Sequence, residues 1–153
     1  MVTLANDRSF FSCQSLCEDF RISDQVDFRL NISFAELTSH LTSALVGLHT
    51  MYNEHFGIGV VELMAGGVIV VANASGGPKL DIVVPVDGDP TGFLARTADD
   101  YAAAMERVLT MPFDERMRIR QRARDAVKQR FSDAVFCRDF MKEVDDLLEG
   151  DVR

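Results

Sequence analysis

The sequence predicts an α/β domain in which helices wrap a parallel β-sheet. Three observations lead there. Val68-Ile69-Val70-Val71-Ala72 is a continuous apolar, largely β-branched run of strand length, the pattern of a parallel strand covered on both faces. Segments with helical spacing alternate with such runs. The connections between them are short, and this alternation gives parallel strands joined by right-handed crossovers.

The elements follow in order. The first twenty residues read as a helix, with Phe10, Phe11, Leu16 and Phe20 as a loose apolar set. Val26-Asp27-Phe28-Arg29-Leu30 alternates apolar and charged residues, the period of a half-buried strand. Ser33 has the character of an N-cap, with Glu36 at the capping-box spacing. The helix it starts would turn Phe34, Leu37, Leu41 and Leu45 to the core. Ala44 to His49 reads as a buried strand overlapping that helix end. Gly57 to Ala65 reads as a short helix with a glycine-rich first turn, stopped by Gly66-Gly67.

After the apolar strand, Ser75-Gly76-Gly77-Pro78 marks a turn. Leu80 to Val84 fits a short helix or a strand. Asp87-Gly88-Asp89-Pro90 is a loop, and Gly92 to Ala95 a short strand. Three helices close the chain. Ala98–Leu109 has Asp99 and Asp100 near its positive end. Phe113–Arg130 is strongly charged. Asp133–Leu148 carries an apolar stripe of Phe136, Phe140, Val144 and Leu147. No composition break marks a second domain, so residues 1–153 are read as one.

The bulk properties narrow the functional classes. A chain of 153 residues with 47% hydrophobic and 26% charged residues has an ordinary globular composition. Its net charge of −8 argues against nonspecific nucleic-acid binding, which needs a basic face to neutralise phosphates. A local anion site built from backbone amides is compatible with that charge. Cys13, Cys17 and Cys137 are odd in number, with no histidine pair at zinc spacing, and read as free thiols. No apolar segment approaches the ~20 residues of a membrane span, and Asp7 and Arg8 interrupt the place of a signal peptide.

The stretch that carries chemistry is Asn53-Glu54-His55-Phe56-Gly57-Ile58-Gly59-Val60-Val61-Glu62. Glu54 and Glu62 straddle a glycine-rich helix start. Between them lie the amides of Phe56, Gly57, Ile58 and Gly59. A helix N-terminus offers unpaired N–H groups and partial positive charge, and glycine lets a phosphate approach. A carboxylate at each end can accept hydrogen bonds from sugar hydroxyls. One scaffold can therefore hold a hexose, a diphosphate and a ribose in line. Two glutamates at this spacing are weak evidence alone. Gly57-x-Gly59 is not a dinucleotide fingerprint either, since Glu62 stands where the third glycine belongs.

On these residues the sequence resembles the family 4 retaining glycosyltransferases, whose motif is two glutamates separated by seven residues. Gly47 to Tyr52, Ser75-Gly76-Gly77-Pro78-Lys79-Leu80-Asp81-Ile82-Val83, Gly92-Phe93-Leu94-Ala95 and Arg130-Phe131-Ser132 extend the resemblance. They bring it to the endoplasmic-reticulum α-1,2-mannosyltransferases that take mannose from GDP-mannose to a dolichol-diphosphate oligosaccharide. It runs from about residue 15 to the end and is specific over residues 47–83.

The resemblance implies the Rossmann-like, donor-binding C-terminal half of a GT-B transferase. It implies that Glu54 is catalytic and contacts the mannose, and that Glu62 meets the ribose. The amides near Phe56, Gly57, Ile58 and Gly59 would meet the diphosphate, with Gly76, Gly77 and Lys79 bordering the same cleft; His55 would bind a phosphate or the sugar, or else cap the helix. It implies no metal and no cofactor besides the GDP-mannose substrate. The family's Arg–Lys pair, its first strand–helix unit and its acceptor-binding half have no counterpart here, so the sequence is expected to be incomplete at its N-terminus. Acceptor and membrane association, on the cytosolic face of the endoplasmic reticulum, would pass through those parts. The helix over 131–149 would then pack on the acceptor half. The residues alone leave open a non-catalytic nucleotide-sugar-binding fragment or a family 4 transferase with another donor.

The remaining polar residues have structural readings. His49, ending an apolar strand, reads as structural, and His40 as solvated. Lys79 reads as a solvated turn lysine as well as a phosphate partner. Arg116 to Arg130 alternates with Asp114, Glu115 and Asp125 and reads as a salt-bridged, solvated face.

Overall fold

In a computed structural model, residues 7–150 are described. They fall into two compact units, divided between Ser43 and Ala44.

The first unit contains helix α1 (Asp7–Asp19), a short 3-10 turn at Ser23–Gln25 and helix α2 (Phe34–Ser43). The first six residues of the predicted first helix lie outside the described residues. Phe10 meets Phe28 edge to face at 5.2 Å. Ser33 caps α2 as its sequence suggests, accepting from the amide of Glu36 at 3.2 Å. The strand predicted over 26–30 is not formed. Val26 is extended and Phe28 is a single bridge residue, but no strand is assigned over this segment among the described residues. Alternation supplies a strand's two faces; a sheet also requires a partner backbone. Phe34, predicted to face the core, is 79% exposed, and Leu45 lies beyond the end of α2.

The second unit is built on three parallel strands in the order β1 (Val46–His49), β2 (Ile69–Asn73), β3 (Phe93–Ala95). The register pairs His49 with Ala72 and Asn73 with Ala95, so the strands end together at one edge. All five residues of β2 are buried. Alternation divides them between two cores. Val70 and Ala72 pack with Val60 and Met64 of α3 (Ile58–Gly66) and with Ala123 and Val127 of α5 (Phe113–Phe131). Ile69 packs with Val108 of α4 (Ala98–Thr110), Met111 and Ile119. Helix α6 (Asp133–Gly150) follows α5.

The open choice at 80–84 falls to a short helix, which starts earlier and ends at Ile82. Gly76 to Ile82 is helical, with a π-helix over Pro78–Ile82 closed by the Val83 amide donating to the Pro78 carbonyl at 2.9 Å. Gly67 ends α3 at φ 77°, and the amides of Gly67 and Val68 return to Met64 and Leu63 at 2.9 Å each. Arg120 and Arg124 of α5 donate to the carbonyls of Gly67 and Gly66. Those carbonyls have no acceptor role left inside the helix, so guanidinium donors at its negative end are doubly suited. This explains part of the arginine run: three of its members, Arg120, Arg122 and Arg124, bind backbone carbonyls of neighbouring segments rather than standing in solvent.

Candidate functional site

The common C-terminal edge of the strands is where ligands bind in open parallel sheets. Three loops leave it. The loop after β1 runs from Thr50 to Gly57 and carries Glu54. The one after β2 carries Ser75, Gly76 and Gly77. The one after β3 carries Arg96 and Thr97.

The first two loops are held against each other by backbone. The Gly77 amide donates to the Glu54 carbonyl at 2.9 Å. A Cβ on Gly76, which has φ 53°, would collide with the Glu54 carbonyl, and one on Gly77 with the carbonyls of His55 and Phe56. Both glycines are therefore required by close approach. The amide of Gly77 is already engaged, so its role is to let the loops meet. A polar relay adds to this. The Asn53 amide donates to Ser75 Oγ at 2.9 Å, and Ser75 Oγ donates to Asn73 Oδ1 at 2.7 Å. Asn53 takes the left-handed conformation, φ 53°, which asparagine tolerates better than most residues.

Gly57 is the N-cap of α3 at φ 100°. Its carbonyl takes the amides of Val60 and Val61, which leaves Ile58 and Gly59 as first-turn amides without an acceptor inside the helix. A Cβ on Gly59 would meet nothing within 4 Å, so the approach to this turn is open. Phe56 is 45% and Ile58 67% exposed, and the Phe56 ring meets Phe131 edge to face at 5.6 Å. His55 and Lys79 are exposed.

The two carboxylates differ. Glu54 is in the loop, four positions before the helix, and its side chain is 25% exposed. Glu62 is on the exposed surface of α3. Only four of the seven residues between them are helical, so the axial rise of a continuous helix does not apply to their separation. His49 Nε2 lies 3.9 Å from Glu54 Oε2. Tyr101 of α4 donates its hydroxyl to the His49 carbonyl at 3.0 Å. Burial pushes the Tyr101 hydroxyl above the usual phenol range, opposed by its hydrogen bond with the Asn73 side chain.

A cleft of about 280 Å³ lined by Tyr52, Asn73, Ala74, Ser75 and Arg96 opens beside these loops. The loop after β3 is fixed by a capping box, in which Thr97 Oγ accepts from the Asp100 amide at 3.2 Å. The Asp100 carboxylate accepts in turn from the amides of Thr97 at 3.0 Å and Arg96 at 2.9 Å. These bonds, from Thr97 first and then Arg96, hold the Asp100 carboxyl below its usual range.

The fold thus gathers Glu54, His55, Phe56, Gly57, Gly76 and Gly77 at one point and leads from there into the open turn of Ile58 and Gly59. Sequence reasoning missed Asn73, Tyr101 and the relay through Ser75. A polar residue ending an otherwise apolar strand was a signal for Asn73; Tyr101, 52 residues from its partner His49, gave none.

Residues 7–126 match the family described as glycosyl transferases group 1. The chain belongs to this family. Among curated relatives of this glycosyltransferase chain, a human protein named GDP-Man:Man(3)GlcNAc(2)-PP-Dol alpha-1,2-mannosyltransferase is 52% identical over 134 residues, 88% of this chain and 27% of that protein. A protein of the same name from Dictyostelium discoideum is 45% identical over 140 residues, 92% of this chain and 27% of its own length. The chain therefore spans about a quarter of the length of these relatives. A solved sucrose-phosphate synthase from Thermosynechococcus elongatus superposes with a TM-score of 0.80 at 25% identity, covering 94% of this chain and 35% of that one. The fold is the helix-covered parallel sheet of the GT-B glycosyltransferases. Among the described residues, no helix is long and apolar enough to cross a membrane.

Proposed function

We propose that this chain is the donor-binding part of a retaining glycosyltransferase that takes mannose from GDP-mannose to a dolichol-diphosphate-linked oligosaccharide in α-1,2 linkage. The observation that carries the reading is the 52% identity to the human protein bearing that activity in its name, over a span that includes the whole stretch from Glu54 to Glu62.

In this reading the diphosphate lies against the first turn of α3. The amides of Ile58 and Gly59 point at it, with the positive end of the helix behind them. Glu54 accepts hydrogen bonds from mannose hydroxyls, and Glu62 from the ribose. His55, Phe56 and Gly57 line the same path, and Lys79 borders it with its positive charge. As the bond from the anomeric carbon to the diphosphate breaks, negative charge grows on the departing oxygen. Donors fixed beforehand at that point stabilise the transition state more than the ground state. The acceptor is held by parts that this chain does not supply, and the endoplasmic-reticulum membrane is the place of action.

Titration of the chain with GDP-mannose and with UDP-glucose tests the donor. The reading expects tighter binding of GDP-mannose. Equal affinities, or tighter binding of UDP-glucose, would reject it.

A further inference from the structure

We infer that His49 is the positioning residue of Glu54, holding its carboxylate in the orientation that receives the sugar; this rests on the donor-site reading above. Three observations carry it. His49 is the last residue of β1, five positions before Glu54, and its side chain is only 18% exposed. Its Nδ1 is buried and has no hydrogen-bond partner among the described residues. Its Nε2 faces Glu54 Oε2 at 3.9 Å.

The tautomer follows from these facts. A neutral imidazole has one N–H donor and one bare acceptor nitrogen. A proton on Nδ1 would be a buried donor with no acceptor, and it would leave Nε2 as a lone pair turned toward a carboxylate. A proton on Nε2 puts the donor toward the carboxylate and leaves only an unpaired acceptor inside. Buried donors without partners are rarer than buried acceptors without partners. The ring therefore carries its proton on Nε2, directed at Glu54. At 3.9 Å the attraction is a charge–dipole contact that tightens into a hydrogen bond with a small rotation of the Glu54 side chain.

The ring itself is held from behind. Tyr101 donates to the His49 carbonyl at 3.0 Å and fixes the end of β1 against α4. The relay from Asn53 through Ser75 to Asn73 fixes the start of the Glu54 loop from the side of β2. Glu54 is thus steadied at its backbone by β2 and at its carboxylate by β1. His49 touches neither phosphate nor nucleoside in this arrangement, so its effect is confined to the sugar.

That confinement is the test. His49→Phe removes the donor and keeps a flat ring; His49→Gln keeps an N–H donor near the place of Nε2. GDP and GDP-mannose are titrated against the wild-type chain and both variants. The inference expects His49→Phe to weaken GDP-mannose by about tenfold, the loss of one hydrogen bond to a charged group, with GDP unchanged. His49→Gln should recover most of that loss. Equal losses for both ligands would mean that His49 only supports the fold, and no loss for either would remove it from the site. A second readout needs no ligand. Ring nitrogen NMR shifts should show the Nε2–H tautomer, with a change in the Nε2 shift in Glu54→Ala. A Nδ1–H ring, or one blind to Glu54, overturns the inference even if GDP-mannose proves not to be the donor.

Discussion

Gly59 is the second residue of α3, in a helix where glycine is among the weakest formers. Nothing in the packing requires it, since a Cβ there would meet no atom within 4 Å. Gly57 is different: at φ 100° any side chain is strained, and Pro78 stands 3.2 Å from its would-be Cβ. Gly59→Leu is therefore the cleaner probe of the helix amides. It should raise stability by about 0.5–1 kcal/mol, because leucine suits the helix better, and should lower GDP affinity by filling the phosphate's approach. Thermal melts and a GDP titration report both; unchanged GDP affinity would remove the diphosphate from this turn. Glu62→Gln should weaken donor binding by about 1–3 kcal/mol through the lost charge-assisted bond to ribose. A 2′-deoxyribose donor should be less sensitive, and equal losses for the two donors would sink the ribose assignment.

The loop after β3 owes its place to the start of α4. Thr97→Ala removes the acceptor for the Asp100 amide and should cost about 1 kcal/mol in urea denaturation. The other half of the box depends on pH. The folded state favours the Asp100 carboxylate, so its contribution is complete above the value of the unfolded chain. It is lost as pH falls through the lower folded value, in the range below about 4. Asp100→Asn should therefore lose stability near neutrality and show a flatter acid limb than wild type. Denaturation midpoints measured from about pH 5 to pH 2 would reveal parallel acid limbs if the box carries no such linkage.

Helix α6 carries a row of exposed apolar side chains. Phe136 is 68%, Phe140 56%, Leu147 74% and Leu148 70% exposed. Phe136 and Phe140, with Phe56, Val61 and Phe131, border a groove of about 500 Å³. Bare apolar patches of this kind drive association. The chain is expected to self-associate as concentration rises, and the double substitution Phe136→Glu, Phe140→Lys should shift sedimentation toward the monomer. A wild-type chain that sediments as a monomer at every concentration would contradict this.

The sequence by itself determined the parts that local chemistry governs. The β-branched run of β2, the glycine stop after α3, the Ser33 cap and the three closing helices all appear where spacing and capping residues put them, within a few positions. The family was legible too, through the likeness of the stretch from Asn53 to Glu62 to a known motif rather than through spacing. Tertiary structure decided what depends on partners distant in sequence. Val26 to Leu30 has the pattern of a strand, but among the described residues only Phe28 is assigned a bridge and no strand forms. The arginines of α5 read as a solvated face, yet Arg120 and Arg124 close the end of α3, across more than fifty residues. His49 reads as structural from its place at the end of an apolar strand, and only the packing turns its Nε2 toward Glu54 Oε2, at 3.9 Å. Periodicity records which face of an element is apolar. It does not record which polar atom meets which, because that is fixed only when elements far apart in the chain pack together.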